Sequence, residues 1–116
     1  MKYDNSFWEY LQKIVDDSKI VIDRPKGTHH PDYPDAPAYP LDYGYLEGSF
    51  SMDGEGIDCF LGSLNNKTVT GILCTVDILK NDSEIKILIG CTNEDMVLAY
   101  NHLNGPDFFR ALLVTR

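Results

Sequence analysis

Apolar residues recur at helical spacing near the start of the chain. Within residues 6–16 they fall on one side of the predicted turns: Phe7, Trp8, Leu11, Ile14 and Val15. Asn5 or Ser6 can serve as the N-cap, and the acidic Glu9 lies in the first turn, where negative charge is favourable. The pattern predicts an amphipathic helix over about residues 6–16.

Further along, β-branched and aromatic residues gather in short runs separated by turn residues. The run IVID at 20–23 ends before Arg24-Pro25, which predicts a strand. YGYLEGSF at 43–50 and IDCFLG at 57–62 flank the glycine-rich turn SMDGEG and predict a hairpin. TVTGILCTVDILK and EIKILIG flank the breaker NDS and predict two more antiparallel strands.

The C-terminal part of the chain carries one clear signal and one ambiguous one. Thr92 and Asp95 have the spacing of a capping box, and the helix that they begin is expected to end near Asn104, before Gly105-Pro106. The tail FFRALLVTR is compatible with either a closing strand or a short helix.

Prolines recur every third residue within the segment RPKGTHHPDYPDAPAYP at 24–40. They are Pro31, Pro34, Pro37 and Pro40. This is the period of a polyproline II segment, and it predicts an extended loop without helix or ladder strand. A stiff connector, or a ligand for a domain with an aromatic groove, would have the same pattern.

The chain has 10 Lys and Arg against 18 Asp and Glu, a formal net charge of −8. Such a surface repels phosphate backbones and anionic lipids, so we expect neither nucleic-acid nor membrane binding. Cys59, Cys74 and Cys91 are odd in number and form no CxxC pair, which favours free thiols in a reducing compartment. The N-terminal segment is too charged for a signal peptide, so we expect a cytoplasmic protein.

Three carboxylates lie close together in DGEGID, at Asp53, Glu55 and Asp58. Two glycines let this backbone bend sharply, so the carboxylates can converge as oxygen ligands for Mg²⁺ or Mn²⁺. Asp and Gly are also ordinary turn residues, and the hexamer by itself favours a solvated acidic hairpin turn over a metal site.

A second charged group is formed by Asp82, Glu84 and Lys86, with the last two on one face of a period-two strand. This alternation either holds a metal-bound phosphate or is the solvated face of a sheet. Several cationic, titratable and tyrosine side chains in and after the proline-rich loop could bind phosphate oxygens. They are Arg24, Lys26, His29, His30, Tyr33, Tyr39 and Tyr43, and Tyr33 or His30 could also pack against the base of a nucleotide.

Read as one segment, YPLDYGYLEGSFSMDGEGIDCFLG resembles the core of the family I soluble inorganic pyrophosphatases. In that family a Tyr-Pro-x-x-Tyr-Gly strand leads into an Asp-x-Asp-x-x-Asp turn that binds metal ions. The residues that match in type and spacing are Tyr39, Pro40, Tyr43, Gly44, Asp53 and Asp58. The segments TVDILK and DSEIKI are similar to the later strand pair of the family, which carries further acidic ligands and a lysine.

The resemblance implies a role for each matching residue. Four acidic residues correspond to metal ligands: Asp53, Asp58, Asp82 and Glu84. Three residues correspond to catalytic positions. Glu55 takes the place of the carboxylate that activates water, Tyr43 that of a hydrogen-bond donor to phosphate, and Lys86 that of a phosphate-binding cation. Asp23 takes the place of a glutamate on an earlier strand.

The sequence departs from the family pattern in its phosphate-binding cations. The Lys-x-Glu strand pair and the arginine before the Tyr-Pro motif are missing, and the proline-rich loop stands in their place. The candidates to bind substrate are therefore Tyr39, which supports the site, and three cationic or titratable residues: Arg24, Lys26 and His30. Arg110 is a further source of positive charge.

Taken together, the elements and the resemblance imply an α+β fold in a single domain, residues 1–116. The expected architecture is a small antiparallel OB-like β-barrel of about five strands with flanking helices. The implied activity is Mg²⁺-dependent hydrolysis of pyrophosphate to two phosphates, with Mn²⁺ as a second candidate ion. Two alternatives stay open: a non-catalytic module that binds metal or phosphate, and a hydrolase of another phosphoanhydride such as a nucleotide. We also expect a homo-oligomer, formed through Phe108, Phe109 or the tail.

Overall fold

Six strands and two helices follow one another in a computed structural model that describes residues 4–116. Their bounds are α1 Ser6–Asp16, β1 Lys19–Arg24, β2 Asp42–Glu47, β3 Ile57–Leu61, β4 Val69–Asp77, β5 Asp82–Ile89, α2 Asn93–Leu103 and β6 Phe109–Thr115. Both helices and the five strands predicted from the pattern are confirmed. The ambiguous tail forms β6. Among the described residues, no helix has the length and apolar character needed to cross a membrane.

All six strands belong to one sheet in the order β1-β2-β3-β5-β4-β6. The α+β, OB-like fold class is confirmed, with two differences in detail. The sheet has a sixth strand, and β3 pairs with β5 in parallel, with Cys59 opposite Ile87, instead of antiparallel. After β3 the chain skips the position next to β3 and forms β4 one position further out. It then returns in the hairpin β4–β5, so that β5 fills the skipped position and runs parallel to β3.

Side chains on the two faces of the sheet enter two separate clusters, as the alternation along β5 illustrates. Ile87 and Ile89 pack with Val15 of α1, whereas Leu88 between them packs with Met96 and Ala99 of α2. All of these side chains are buried. The two helices therefore pack on opposite faces of one sheet. Each buried Ile or Leu contributes about 1.5–3 kcal/mol to the stability of this packing.

Helix α1 begins where the pattern predicted, but the residue whose side chain accepts a hydrogen bond from a backbone N–H of its first turn is Asp4, not Asn5 or Ser6. Asn5 occupies the N-cap position without a capping hydrogen bond from its side chain. The carboxylate of Asp4 accepts from the Ser6 backbone N–H at 2.9 Å and from the Ser6 hydroxyl at 2.5 Å. An anionic acceptor at this end also interacts favourably with the helix dipole.

The proline-rich loop contains no helix and no ladder strand, but it is folded back instead of extended. Backbone bonds of 2.9 Å from Gly27 N–H to the Tyr39 carbonyl and 2.8 Å from Tyr39 N–H to the Thr28 carbonyl close it at its base. Between them His30 and Tyr33 form an isolated antiparallel bridge. Because proline fixes φ at a value suited to turns as well as to polyproline II, the three-residue period does not distinguish the two.

A β-bulge at the end of β1 brings Arg24 to the inner face of the sheet, which is the face that packs against α2. Ile22 lies opposite Gly44, and Arg24 lies opposite Tyr43, so Asp23 is the extra residue. The strands approach so closely here that a Cβ at Gly44 would lie 1.8 Å from the Val21 carbonyl oxygen. Gly44 therefore permits the contact that presents Arg24 beside Tyr43.

The predicted capping box of α2 is confirmed, and its Asp95 also bonds outside the helix. Thr92 accepts from the Asp95 N–H, and the Asp95 carboxylate accepts from the Thr92 N–H at 3.0 Å. The same carboxylate oxygen accepts from the Ser63 N–H at 2.8 Å and the Ser63 hydroxyl at 2.7 Å. Burial alone would raise the pKa of Asp95, but these bonds outweigh it and lower the pKa. Asp95 thus joins α2 to the segment that follows β3.

Replacing Asp95 by Asn tests this junction. Asp95→Asn removes the charge from three hydrogen bonds and should lower the free energy of unfolding by about 1–2 kcal/mol at pH 7. Because the folded-state pKa of Asp95 is lowered, its contribution is complete above the usual carboxyl pKa of about 4 and is lost as pH falls through the lower value. Urea denaturation at pH 7 and pH 3 should therefore show a difference from wild type that shrinks in acid.

The matched control is Glu94→Gln, which removes a first-turn charge from an exposed side chain. Its effect should stay below about 0.5 kcal/mol at both pH values. Equal effects of the two substitutions would mean that helix-end charge, and not the bonds to Ser63 and Thr92, provides the stabilisation.

Candidate functional site

Lys86 places a buried ammonium group at the centre of the inner face of the sheet. Its side chain is 7% exposed, and each of its three donor hydrogens has an acceptor. The ammonium lies 2.8 Å from the Tyr43 hydroxyl, 2.9 Å from Asp58 Oδ2 and 2.7 Å from Glu84 Oε1. These four residues come from β2, β3 and β5, and all of them are among the site residues that the sequence predicts.

Strand register brings these residues together. Glu84 and Lys86 are two positions apart on β5 and so share a face, as predicted from the period. On β3, Asp58 lies on the same face as Phe60, which is opposite Tyr43 of β2. The parallel pairing of β3 with β5 then sets Asp58 beside Lys86. The alternation along each strand predicts which face a residue lies on. The pairing of β3 with β5, which are distant in sequence, brings the residues into contact.

The electrostatics of the four residues follow from burial and mutual charge. Burial alone would lower the pKa of Lys86, but Tyr43, Asp58 and Glu84 outweigh it and raise the pKa. Burial also raises the pKa of Glu84, which the nearby Asp58 carboxylate reinforces and Lys86 partly offsets. Burial raises the pKa of Tyr43 in the same way, so its hydroxyl keeps its proton at neutral pH.

The four residues lie in a cavity of about 1400 Å³ whose lining is strongly acidic. Three cationic side chains line it: Arg24, Lys80 and Lys86. Nine carboxylates line it as well: Asp23, Asp32, Asp35, Asp53, Glu55, Asp58, Asp77, Asp82 and Glu84. An unaccompanied phosphate anion would therefore be repelled by most of the cavity wall.

The turn between β2 and β3 holds two of the predicted acidic residues at the cavity mouth. Asp53 is exposed and accepts from the Ser51 hydroxyl at 2.5 Å and from the Glu55 N–H at 2.9 Å, and these bonds lower its pKa. Glu55 is exposed and lines the same cavity. The turn conformation depends on Gly54, whose φ of 83° lies in the left-handed region.

The donor set fits a hard divalent cation in its chemistry, because carboxylate oxygens are the ligands that Mg²⁺ and Mn²⁺ prefer. In residues 4–116, however, no three His, Cys, Asp or Glu side chains are grouped closely enough to form a ready metal site. Asp58 and Glu84 are instead bridged by the Lys86 ammonium. A monovalent cation of the protein itself thus occupies the space between two of the predicted ligands.

The proline-rich loop and β1 bring some of the predicted substrate-binding residues to the cavity and leave one outside. Arg24 donates to the Tyr39 hydroxyl at 2.7 Å, and its guanidinium carbon is 5.7 Å from the Tyr43 ring centroid. His30 also lines the cavity, and its pKa is lowered by burial and by Arg24. Lys26 is exposed, and its backbone N–H donates to Asp42 at 2.8 Å; it is not part of the cavity lining.

His102 and Asp77 line the cavity but were not predicted as site residues. The His102 ring packs on Tyr39 at 4.8 Å between centroids, and burial lowers its pKa. It lies three residues after the buried Ala99, so helical period could have placed it on the inner face. Asp77 accepts from the N–H groups of Leu79 and Lys80 in the β4–β5 turn.

Phe108 and Phe109, predicted to help form an oligomer, have another environment in the folded chain. Both side chains are half-buried and line the cavity. All three cysteines are free, as expected, with Cys59 and Cys91 buried and Cys74 half-buried. Burial raises the pKa of Cys59 and of Cys91 to about 12.

Solved structures of inorganic pyrophosphatases have a similar fold. The enzyme from Coxiella burnetii aligns over 83% of this chain and 84% of its own, with a TM-score of 0.59 and 11% identity. The enzyme from Neisseria gonorrhoeae aligns over 78% and 77%, with a TM-score of 0.58 and 19% identity. That from Helicobacter pylori aligns over 83% and 81%, with a TM-score of 0.56 and 11% identity.

The chain has the inorganic pyrophosphatase fold. The resemblance carried by Tyr39–Gly62 is confirmed to this extent, since likeness at such low identity establishes architecture alone. No family model and no curated protein matches the sequence. Within the pyrophosphatase fold of this chain, the residues that the resemblance singled out on β2, β3 and β5 meet at Lys86.

Replacing Lys86 by Met tests whether this ammonium holds the three strands together. Lys86→Met leaves Asp58 and Glu84 adjacent without a counter-charge. It should lower the free energy of unfolding by about 2–3 kcal/mol at pH 7, less than for a fully buried pair because these carboxylates are 31% and 26% exposed. The loss should shrink as pH falls through the raised pKa of Glu84, because protonation removes the repulsion.

Lys80→Met is the matched control, because Lys80 lines the same cavity from an exposed position. Urea denaturation should show a change below about 0.5 kcal/mol for this variant. A loss for Lys86→Met that is independent of pH would point to lost packing of the lysine stem instead of unpaired carboxylates.

Proposed function

We propose that this protein hydrolyses inorganic pyrophosphate to two phosphates, with Mg²⁺ as cofactor and Mn²⁺ as a substitute. One observation carries the proposal. Tyr43, Asp58, Glu84 and Lys86 converge at the wall of an acidic cavity, on a sheet with the pyrophosphatase fold. A cytoplasmic location and self-association are part of the same proposal, and free cysteines are compatible with the former.

Charge explains why the proposal includes a metal. Nine carboxylates against three cations cannot attract a diphosphate by themselves. The residues that would hold divalent cations are Asp53, Asp58, Asp82 and Glu84, with donor chemistry suited to hard ions. Ions held there would offset the negative charge of the substrate and would make a bound water a stronger nucleophile.

The chain's own residues supply orientation and proton transfer. Tyr43 keeps its proton and can donate to a phosphate oxygen, while Lys86 and Arg24 add positive charge on either side of it. Glu55, exposed at the mouth, takes the proton of the attacking water. The water oxygen bonds to one phosphorus as the bridging P–O bond breaks, so one pyrophosphate and one water give two phosphates.

Replacing Asp58 by Asn gives the first test of the proposed activity. Asp58→Asn keeps the shape and a hydrogen-bond acceptor for Lys86 but removes a carboxylate, so phosphate release from pyrophosphate with Mg²⁺ should fall at least about 100-fold. Wild-type protein with excess chelator should be equally inactive. Circular dichroism checks that the variant is folded.

Glu47→Gln is the matched control, since Glu47 is an exposed carboxylate at the end of β2, away from the cavity lining. It should retain wild-type phosphate release. No release by wild type above Asp58→Asn, with either metal, would rule out pyrophosphate hydrolysis.

Replacing Glu55 by Gln tests its assignment as the general base. Removal of a base costs about 100-fold to 10,000-fold, so kcat should fall by about 100-fold or more while KM for pyrophosphate changes little. Glu55→Asp should retain part of the activity because it keeps a carboxylate. A normal kcat for Glu55→Gln would assign proton transfer to another group.

A non-catalytic binding module is the second candidate, and a specific observation favours it. All three donor hydrogens of Lys86 are taken by protein groups, so a phosphate must displace at least one of them to bind the ammonium. Titration calorimetry of wild type and Asp58→Asn with Mg²⁺ alone, and with Mg²⁺ and imidodiphosphate, separates the candidates. Binding that requires Asp58 without turnover of pyrophosphate would establish the module.

A further inference from the structure

The cavity is far larger than a pyrophosphate ion requires. Its volume of about 1400 Å³ exceeds the range of about 300–1,000 Å³ that is typical of pockets for organic ligands. Lys86, Tyr43 and Arg24 gather at one part of it, and two phosphates placed there leave most of the space open. The remaining wall therefore bears on which phosphoanhydride fits.

That wall includes apolar and aromatic side chains beside the carboxylates of Asp32 and Asp35. Tyr33, Pro34 and Pro37 of the proline-rich loop contribute to it, as do Phe108 and Phe109 before and at the start of β6. The Tyr33 side chain is 52% exposed although it lines the cavity. An aromatic ring with an accessible surface inside a cavity is a platform for a flat, apolar group.

The Tyr33 ring is held in place even though it is exposed. Its centroid is 5.0 Å from that of His30, and the Tyr33 N–H donates to the His30 carbonyl at 3.1 Å. The Asp32 N–H donates to His30 Nδ1 at 3.0 Å, which leaves the ring proton of neutral His30 on Nε2. Burial and the charge of Arg24 lower the pKa of His30, which favours this neutral form.

We propose that the substrates of this site include nucleoside diphosphates, with the two phosphates at Lys86, Tyr43 and Arg24 and the base stacked on Tyr33. The proposal rests on the proposed phosphoanhydride hydrolysis and names an additional substrate class for the same site. Asp32 and Asp35 flank Tyr33 and line the cavity, and as acceptors they suit bases with exocyclic amino groups. Adenine, guanine and cytosine have such a group, and uracil has none.

The reaction on this substrate balances in the same way as on pyrophosphate. The oxygen of water bonds to the terminal phosphorus, and the P–O bond to the bridging oxygen breaks. The nucleoside monophosphate leaves with that oxygen, and the products are one nucleoside monophosphate and one phosphate. The proton of the water passes to Glu55, as in the reaction proposed for pyrophosphate.

The test compares phosphate release from ADP, GDP, CDP, UDP and pyrophosphate by wild type, Tyr33→Ala, Tyr33→Phe and Tyr10→Ala, all with Mg²⁺. Tyr33→Ala should lower kcat/KM for ADP about tenfold, mainly through KM, because stacking on one aromatic ring is worth this order of affinity. Tyr33→Phe keeps the ring and should retain activity on ADP. Tyr10→Ala removes a tyrosine that is 75% exposed on α1 and is the matched control.

Each outcome bears on the proposal. Release from ADP, GDP and CDP above UDP, with a selective loss in Tyr33→Ala while pyrophosphate turnover is kept, supports it. Turnover of pyrophosphate without any nucleotide turnover overturns it and leaves the proposed pyrophosphatase activity intact. Nucleotide turnover that Tyr33→Ala does not change overturns the stacking site. Turnover of nucleotides without turnover of pyrophosphate overturns the proposed pyrophosphatase activity and supports the nucleotide site. Turnover of neither substrate overturns both the pyrophosphatase proposal and the nucleotide proposal.

Discussion

A buried positive charge is tolerable only where opposite charge and hydrogen bonds surround it, and Lys86 imposes this condition on three strands. Its ammonium fixes Asp58 of β3 and Glu84 of β5 at 2.9 and 2.7 Å and the Tyr43 hydroxyl of β2 at 2.8 Å. A change of register between β3 and β5 would separate Asp58 from Lys86, and a change between β2 and β3 would displace the Tyr43 hydroxyl from the ammonium. The interaction that specifies the sheet is therefore the same one that assembles the candidate site.

The inner face of the sheet changes character along its strands. On β5, Leu88 belongs to the cluster with α2, Lys86 is buried but charged, and Glu84 is partly exposed in the cavity. The same succession appears on β3, from the buried Phe60 to the half-buried Asp58. The hydrophobic cluster thus supports the charged residues directly and limits their access to water on one side. This is how a small sheet can hold a polar site without a second layer of strands.

Local signals allowed most elements to be predicted from sequence, because they depend on residues close together in the chain. The α1 pattern, the hairpin turn around Gly54 and the Thr92–Asp95 capping box are of this kind. The parallel pairing of β3 with β5 was missed because nothing between residues 62 and 68 specifies which side of β3 the chain takes. The folding back of the proline-rich loop depends on Tyr39 pairing with Gly27 and Thr28, which again is not local.

The residues of the candidate site could be predicted from the sequence, but their contacts could not. Family resemblance gave the residues of β2, β3 and β5, and alternation gave their common face. Their joint contact with Lys86 required the three-dimensional register. Arg24 reaches Tyr39 only because a bulge at Asp23 and the missing Cβ of Gly44 bring β1 close to β2.

The closure of the proline-rich loop has an entropic consequence. Prolines restrict the unfolded chain before it folds, so ordering this segment costs less conformational entropy than ordering a flexible loop of equal length. The two backbone bonds between Tyr39 and the Gly27-Thr28 pair fix its ends, and Arg24 secures Tyr39 through its hydroxyl. One wall of the cavity is therefore ordered in advance, and a ligand that contacts it spends little of its binding free energy on immobilising the protein.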